Sequence, residues 1–279
     1  MIFIDNFLLF VFGAWIGSFI NLARFRIPKN QSIISANSFC DNCNKALNWD
    51  EKIPIFSQLF LRKRCSTCNF KVPLKYSLIE ILSGVLFILS SQSTNFIFSS
   101  DRILDIFIKC FFVSNLFLIS LIDIDTLTIP NKLNILNYVF GFISILFFSN
   151  NAFNFNLIAS RLLISILTLL LLELFSYLYF LFRGKFPLGS GDSKLLAVFV
   201  IWIGIKGMLI ALISSIYLAG FYIFIRFVIR LFKTDRIPFG PFLCLGAYLF
   251  LILGPDLPLK IFFFNSYWNI FLVDIKLCY

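Results

Sequence analysis

A chain of 279 residues that is 59% hydrophobic and only 14% charged departs from ordinary globular domains, where about a quarter of residues are charged. The formal net charge of +10 is concentrated in residues 24–75, which hold ten Lys/Arg against three Asp/Glu. Beside an apolar span such a patch marks cytoplasmic retention and excludes nucleic acid as the expected partner. The chain has no histidine, which removes Ser–His and Cys–His nucleophile pairs, HExxH zinc proteases and imidazole metal ligands. Any hydrolysis must then use carboxylates, lysine, cysteine or serine.

The first apolar run, about Phe7 to Leu22, is preceded by Asp5 and followed by Arg24, Arg26 and Lys29. A signal peptide carries its positive charge first, so this run is expected to be an uncleaved span with its N-terminus outside. Residues 26–75 are then cytoplasmic, the one candidate for a small soluble subdomain. They contain Cys40-Asp41-Asn42-Cys43 and Cys65-Ser66-Thr67-Cys68, a C-x₂-C-x₂₁-C-x₂-C spacing close to a zinc ribbon or knuckle. Four thiolates close a tetrahedral Zn²⁺ site with no open position for water, so the metal is expected to be structural. Lys63 and Arg64 beside Cys65 offset the negative charge of such a centre. The competing reading is two unrelated redox or free CxxC pairs.

Further apolar runs predict spans near 76–92, 103–122, 133–149, 157–182, 194–205, 207–230 and 241–254, eight in all with the first. Charge assigns their sides. Loop 149–156 has no Lys/Arg and belongs outside; loop 183–192 has Arg183 and Lys185 and belongs inside; segment 226–236 has Arg226, Arg230, Lys233 and Arg236 and belongs inside. Alternation from an outside N-terminus gives these same sides. The fold class is thus an all-α polytopic membrane protein with a small cytoplasmic zinc-binding insertion after the first helix. It divides into 1–25, the first span; 26–75, the zinc loop; 76–255, the multi-span unit; and 256–279, an aromatic tail.

Two acidic segments fall at the cytoplasmic ends of spans, Asp123-Ile124-Asp125 and Gly189-Ser190-Gly191-Asp192. Either alone could be a helix cap. Together, in a chain without histidine, they suggest a carboxylate dyad, because ionisable groups at membrane depth are functional candidates. Two close carboxylates share a proton, so one can act as base on water while the other donates to a scissile carbonyl. Residues two apart on a helix face different ways, so the pair must draw one member from each segment. Asp192 then pairs with Asp123 or Asp125.

The ordered motifs resemble the type IV prepilin peptidases, also called prepilin leader peptidase/N-methyltransferases. They are Gly17-Ser18-Phe19-Ile20-Asn21 continuing to Arg26-Ile27-Pro28; the cysteine loop with Ile53-Pro54-Ile55-Phe56-Ser57 between its halves; and Tyr76-Ser77-Leu78-Ile79-Glu80. There follow Asp123 six residues before Ile129-Pro130-Asn131, the GxGDxK segment Gly189-Ser190-Gly191-Asp192-Ser193-Lys194, and Pro238-Phe239-Gly240-Pro241. The resemblance covers about residues 10–254 and implies a bacterial inner-membrane enzyme. Such an enzyme cuts the basic leader from prepilins and pseudopilins after a glycine and methylates the new amine with S-adenosylmethionine. It implies Asp123 and Asp192 as the catalytic dyad, with Asp125 as the alternative to Asp123, and Cys40, Cys43, Cys65 and Cys68 as zinc ligands. Asp41 stands where the family commonly has proline, which leaves the ligands intact.

Weaker signals remain. Glu80 and Glu173 lie within spans as packing partners or parts of a polar pocket; Arg161 is expected to snorkel to the outer surface. Lys194 either supports the Asp192 charge or faces headgroups. Cys110 and Cys244 read as small core hydrophobes. The rival functions are a membrane methyltransferase or lipid-modifying enzyme with structural aspartates, and a zinc-loop assembly protein.

Overall fold

The computed structural model describes residues 2–33, 43, 67–68, 74–93, 101–148, 155–185, 187–229 and 237–254. Among the described residues all regular structure is helical: α1 (Ile2–Arg26), α2 (Leu74–Gln92), α3 (Arg102–Thr126), α4 (Asn131–Phe148), α5 (Phe155–Arg183), α6 (Ser190–Val228) and α7 (Gly240–Leu253). Five of them, α1, α2, α3, α5 and α6, are long and apolar enough to cross a membrane. The expected spans near 76–92, 103–122 and 157–182 correspond to α2, α3 and α5, whereas the runs expected at 133–149 and 241–254 form α4 and α7, which are helical but not among those five. Most of the expected zinc loop and the tail beyond residue 254 lie outside the described residues.

The helix ends follow local chemistry. Asp101 caps α3 by accepting the Ile103 N–H at 2.9 Å. Pro130 immediately precedes α4 and its carbonyl receives the Leu133 N–H. Pro241 sits in the first turn of α7. Gly184 closes α5 with a left-handed φ of 65°, its N–H returning to Phe180 O at 2.7 Å.

Packing is built from two tight pairs, α1 on α2 and α6 on α7, with α3 touching α1, α2, α4 and α7. Small residues make the first pair possible. A Cβ on Gly13 would lie 2.8 Å from Gly84 Cα, and one on Gly17 2.8 Å from Glu80 Cα. Helices in lipid gain little from apolar burial against each other and depend on such backbone approach. The motifs around Gly17 and Tyr76 therefore pack against each other, joined by Asn21 Nδ2 donating to Tyr76 O at 3.0 Å. Between α3 and α6 the core is aromatic: the Phe112 and Trp202 rings stack with centroids 4.5 Å apart. Trp202 Nε1 donates to Asn137 O of α4 at 2.9 Å, which satisfies its buried N–H. Lys109, 1% exposed, donates to Ser93 O just past α2 and pairs with Asp105, both at 2.8 Å. It ties the end of α2 to α3.

The runs expected at 194–205 and 207–230 lie in one helix, α6, broken at Gly204 by φ 73° and ψ 174°. The break strands carbonyls that the helix would otherwise pair. Arg161 of α5 reaches them, its Nη1 donating to Ile201 O at 3.0 Å and to Trp202 O at 3.4 Å. This differs from the snorkelling expected of Arg161: a cation at the end of a half-helix satisfies its carbonyls and its dipole. Arg161→Leu should therefore lower stability by about 1–3 kcal/mol, the cost of leaving buried acceptors unpaired. Thermal unfolding in detergent measures this, with Arg161→Lys expected to recover part of the loss.

Candidate active site

The site forms where the C-terminal end of α3 meets the N-terminal ends of α6 and α7. Asp123, in the last turn of α3, is 5% exposed, and its Oδ2 accepts the Gly240 N–H at 2.9 Å. Gly240 opens α7, and the N-cap residue Phe239 makes no side-chain capping bond. Asp123 thus caps α7 from another helix and meets the positive end of its dipole. No side chain fits at Gly240: a Cβ there would lie 2.7 Å from Asp123 Oδ2 and 3.2 Å from Ile129 Cδ1.

Asp192 occupies the third position of α6 and is half-buried. Its carboxylate folds back toward Gly189, the N-cap of that helix. Asp192 stands at N3, the position from which an acidic side chain reaches back in a capping box. A Cβ on Gly189 would lie 3.0 Å from Asp192 Oδ2, and one on Gly191 2.9 Å from Ile129 Cβ. Ile129 is therefore wedged between the glycine that holds Asp123 and the glycine beside Asp192. Ile129 thus spaces the two acidic segments, and Cys244, one turn into α7, is buried.

Polar contacts register the two acidic segments. Lys194 Nζ donates to Asn131 Oδ1 at 3.0 Å, and Asn134 Nδ2 donates to Gly191 O at 3.4 Å. Lys194 thus binds the segment after Pro130, a third outcome beside the two expected of it. Asp125 is exposed and pairs instead with Arg24 of α1, Nε to Oδ2 3.3 Å. Of the three candidate aspartates, Asp123 and Asp192 come together and Asp125 turns toward another helix. Glu80 is buried at the α1–α2 contact, Glu173 lies on an exposed face of α5, and Cys110 and Cys244 are buried. In the sequence Arg24 counts only toward the charge that orients the first span, and nothing there marks its contact with Asp125; the pair Asp105–Lys109 was not singled out. The i,i+4 spacing of the second was a usable signal.

Of the expected metal ligands, Cys40 and Cys65 lie outside the described residues, and Cys43 and Cys68 are each half-buried. A donor set of four thiols suits Zn²⁺ on chemical grounds.

An arrangement of this kind can move protons. Two carboxylates flank Ile129, Asp123 held by the Gly240 N–H and Asp192 folded back on its own helix start, with oxygen lone pairs left for a water or a substrate carbonyl.

Comparison with known proteins gives the class. Residues 11–94 match the bacterial peptidase A24 N-terminal domain, and residues 110–224 match the type IV leader peptidase family. A prepilin leader peptidase/N-methyltransferase of Bacillus subtilis (strain 168) is 29% identical over 257 residues, covering 90% of this chain and 95% of that protein. One of Neisseria gonorrhoeae is 26% identical over 263 residues, covering 86% and 87%. One of Myxococcus xanthus (strain DK1622) is 29% identical over 205 residues, 72% of this chain, and the chain spans 58% of that relative's length. No solved structure matches. The chain belongs to the type IV leader peptidase family. Asp123 and Asp192 fall inside the matched peptidase region, whereas Gly240 falls beyond it.

Proposed function

We propose that this chain removes the leader peptide from type IV prepilins and pseudopilins with Asp123 and Asp192 as its catalytic pair, and then N-methylates the new terminus. The observation that supports the assignment is the meeting of these two carboxylates across Ile129, each at a helix start and Asp123 fastened to the Gly240 N–H. One carboxylate, ionised, takes a proton from a water as its oxygen attacks the scissile carbonyl. The other, protonated, donates to the carbonyl oxygen. Collapse of the tetrahedral intermediate returns that proton to the carboxylate that gave it, while the proton taken from water passes to the leaving amine. The freed amine is the acceptor for methylation, whose methyl group S-adenosylmethionine supplies. Co-expression with a prepilin should convert the precursor to a shorter band on a gel. A precursor left unshortened by the wild-type chain would favour a membrane methyltransferase, a lipid-modifying enzyme or a zinc-loop assembly protein, and conversion that persists when either aspartate is replaced by asparagine would remove that residue from the chemistry.

The proposed setting is the bacterial inner membrane, crossed eight times, with the N-terminus outside and the cysteine loop in the cytoplasm. A continuous helix of 39 residues would rise about 58 Å, roughly twice the 30 Å hydrocarbon core, so the break at Gly204 supports two passes from α6. Labelling of single introduced cysteines should place residues 40–70 and 183–192 inside and 149–156 outside. Labelling of 149–156 from the same side as 40–70 would overturn the topology.

Zinc is proposed as a structural ion held by Cys40, Cys43, Cys65 and Cys68. Cys40→Ser or Cys65→Ser should release the metal and destabilise the cytoplasmic loop, since four-thiolate sites contribute folding free energy directly. Metal analysis of purified protein checks this. Absence of zinc, with all four thiols alkylated in the native state, would contradict it.

A further inference from the structure

Asp123 sits one turn from the end of α3, so whatever fixes that end aims the carboxylate. The helix stops at Leu127, which holds a left-handed φ of 54° while its N–H closes on Asp123 O at 2.9 Å. A leucine adopts that conformation only where its surroundings hold it there. One hold is the Gly240 N–H on Asp123. The other comes from α1. Arg24 is 5% exposed, and its guanidinium lies over the Phe25 ring, 4.5 Å from the centroid. Phe25 in turn meets the Tyr76 ring at the start of α2. A guanidinium buried this deeply is costly without a carboxylate partner. Asp125, two residues past Asp123, supplies one at 3.3 Å, as an ion pair without hydrogen-bond geometry. Just beyond the turn, Lys132 Nζ donates to Asn30 Oδ1 at 2.8 Å. Residues of the N-terminal unit therefore grip the α3–α4 turn on both sides of Leu127.

We propose that Arg24 is a positioning residue of the peptidase: through Asp125 it sets where α3 ends and thereby where Asp123 points. The inference rests on the catalytic reading of Asp123. It gives Asp125 a role distinct from that of the dyad, and it makes the N-terminal unit part of the cleavage machinery through an electrostatic contact that touches no substrate.

A double-mutant cycle on the full chain tests it, with kcat and KM for a purified prepilin read in detergent. Arg24→Gln and Asp125→Asn should each lower kcat by about 10- to 100-fold with KM little changed, the scale of effect that sub-ångström misplacement of a catalytic group produces. The double variant should be no worse than the worse single, because both changes break one interaction. Arg24→Lys should keep part of the rate by retaining the charge. If Arg24→Gln does not insert, Arg24→Lys supplies the cycle. Wild-type kcat in the single variants, or losses that multiply in the double, would overturn the proposal. So would an inactive Asp125→Asn beside a fully active Arg24→Gln, which would make Asp125 itself catalytic. A wild-type protein that cleaves no prepilin would defeat the proposed function instead. The same cycle in thermal unfolding would then test the Arg24–Asp125 contact by itself, coupling retaining it as a structural link and additivity overturning it.

Discussion

Asp123→Asn and Asp192→Asn should each lower prepilin cleavage by about 10⁴-fold or more, and the double variant should be scarcely worse than either. A shared-proton pair needs one ionised and one protonated carboxylate, and an amide can be neither. The fold should survive, because Asn is nearly isosteric, can cap a helix start, and at position 123 can still accept the Gly240 N–H through its carbonyl. Single-turnover rates on purified variants, read beside their melting temperatures, separate loss of chemistry from loss of structure. Losses that multiply in the double variant would mean that the two residues act independently.

Gly240→Ala should reduce cleavage by about 100-fold, although alanine is a better helix former than glycine. The added methyl would sit 2.7 Å from Asp123 Oδ2 and 3.1 Å from its Cγ, so the carboxylate must swing off the Gly240 N–H. The contrast is Gly220→Ala in α6, where nothing lies within 4 Å of the new Cβ. That variant should cleave at the wild-type rate. Equal activity of the two variants would remove Gly240 from the site.

Much of the helix pattern is legible in the sequence, because a span solvated by lipid and by other helices is apolar along its whole length. Pro130, Gly184 and Pro241 mark helix boundaries for local reasons that sequence shows directly. A divide near residue 206 is also visible, two residues from the break at Gly204. What hydropathy does not show is that the break strands the carbonyls of Ile201 and Trp202, and so that Arg161 turns inward to them.

At the site, the pairing of one aspartate from each segment follows from helix geometry, but the choice between Asp123 and Asp125 does not. It depends on where α7 begins, since Gly240 binds Asp123, and on a buried Arg24 that draws Asp125 the other way. Both partners are far from the aspartates in sequence. Ile129 as the spacer between two glycines is equally a product of tertiary packing.

The most direct measurement is the mass of a prepilin N-terminus recovered from cells that co-express it with this chain, wild type or Asp192→Asn. The wild type should yield a pilin that begins just after the leader glycine and carries one added methyl group. The Asp192→Asn protein should yield the full-length precursor alone. A mature, methylated pilin from Asp192→Asn at the wild-type level would contradict catalysis by this pair of aspartates.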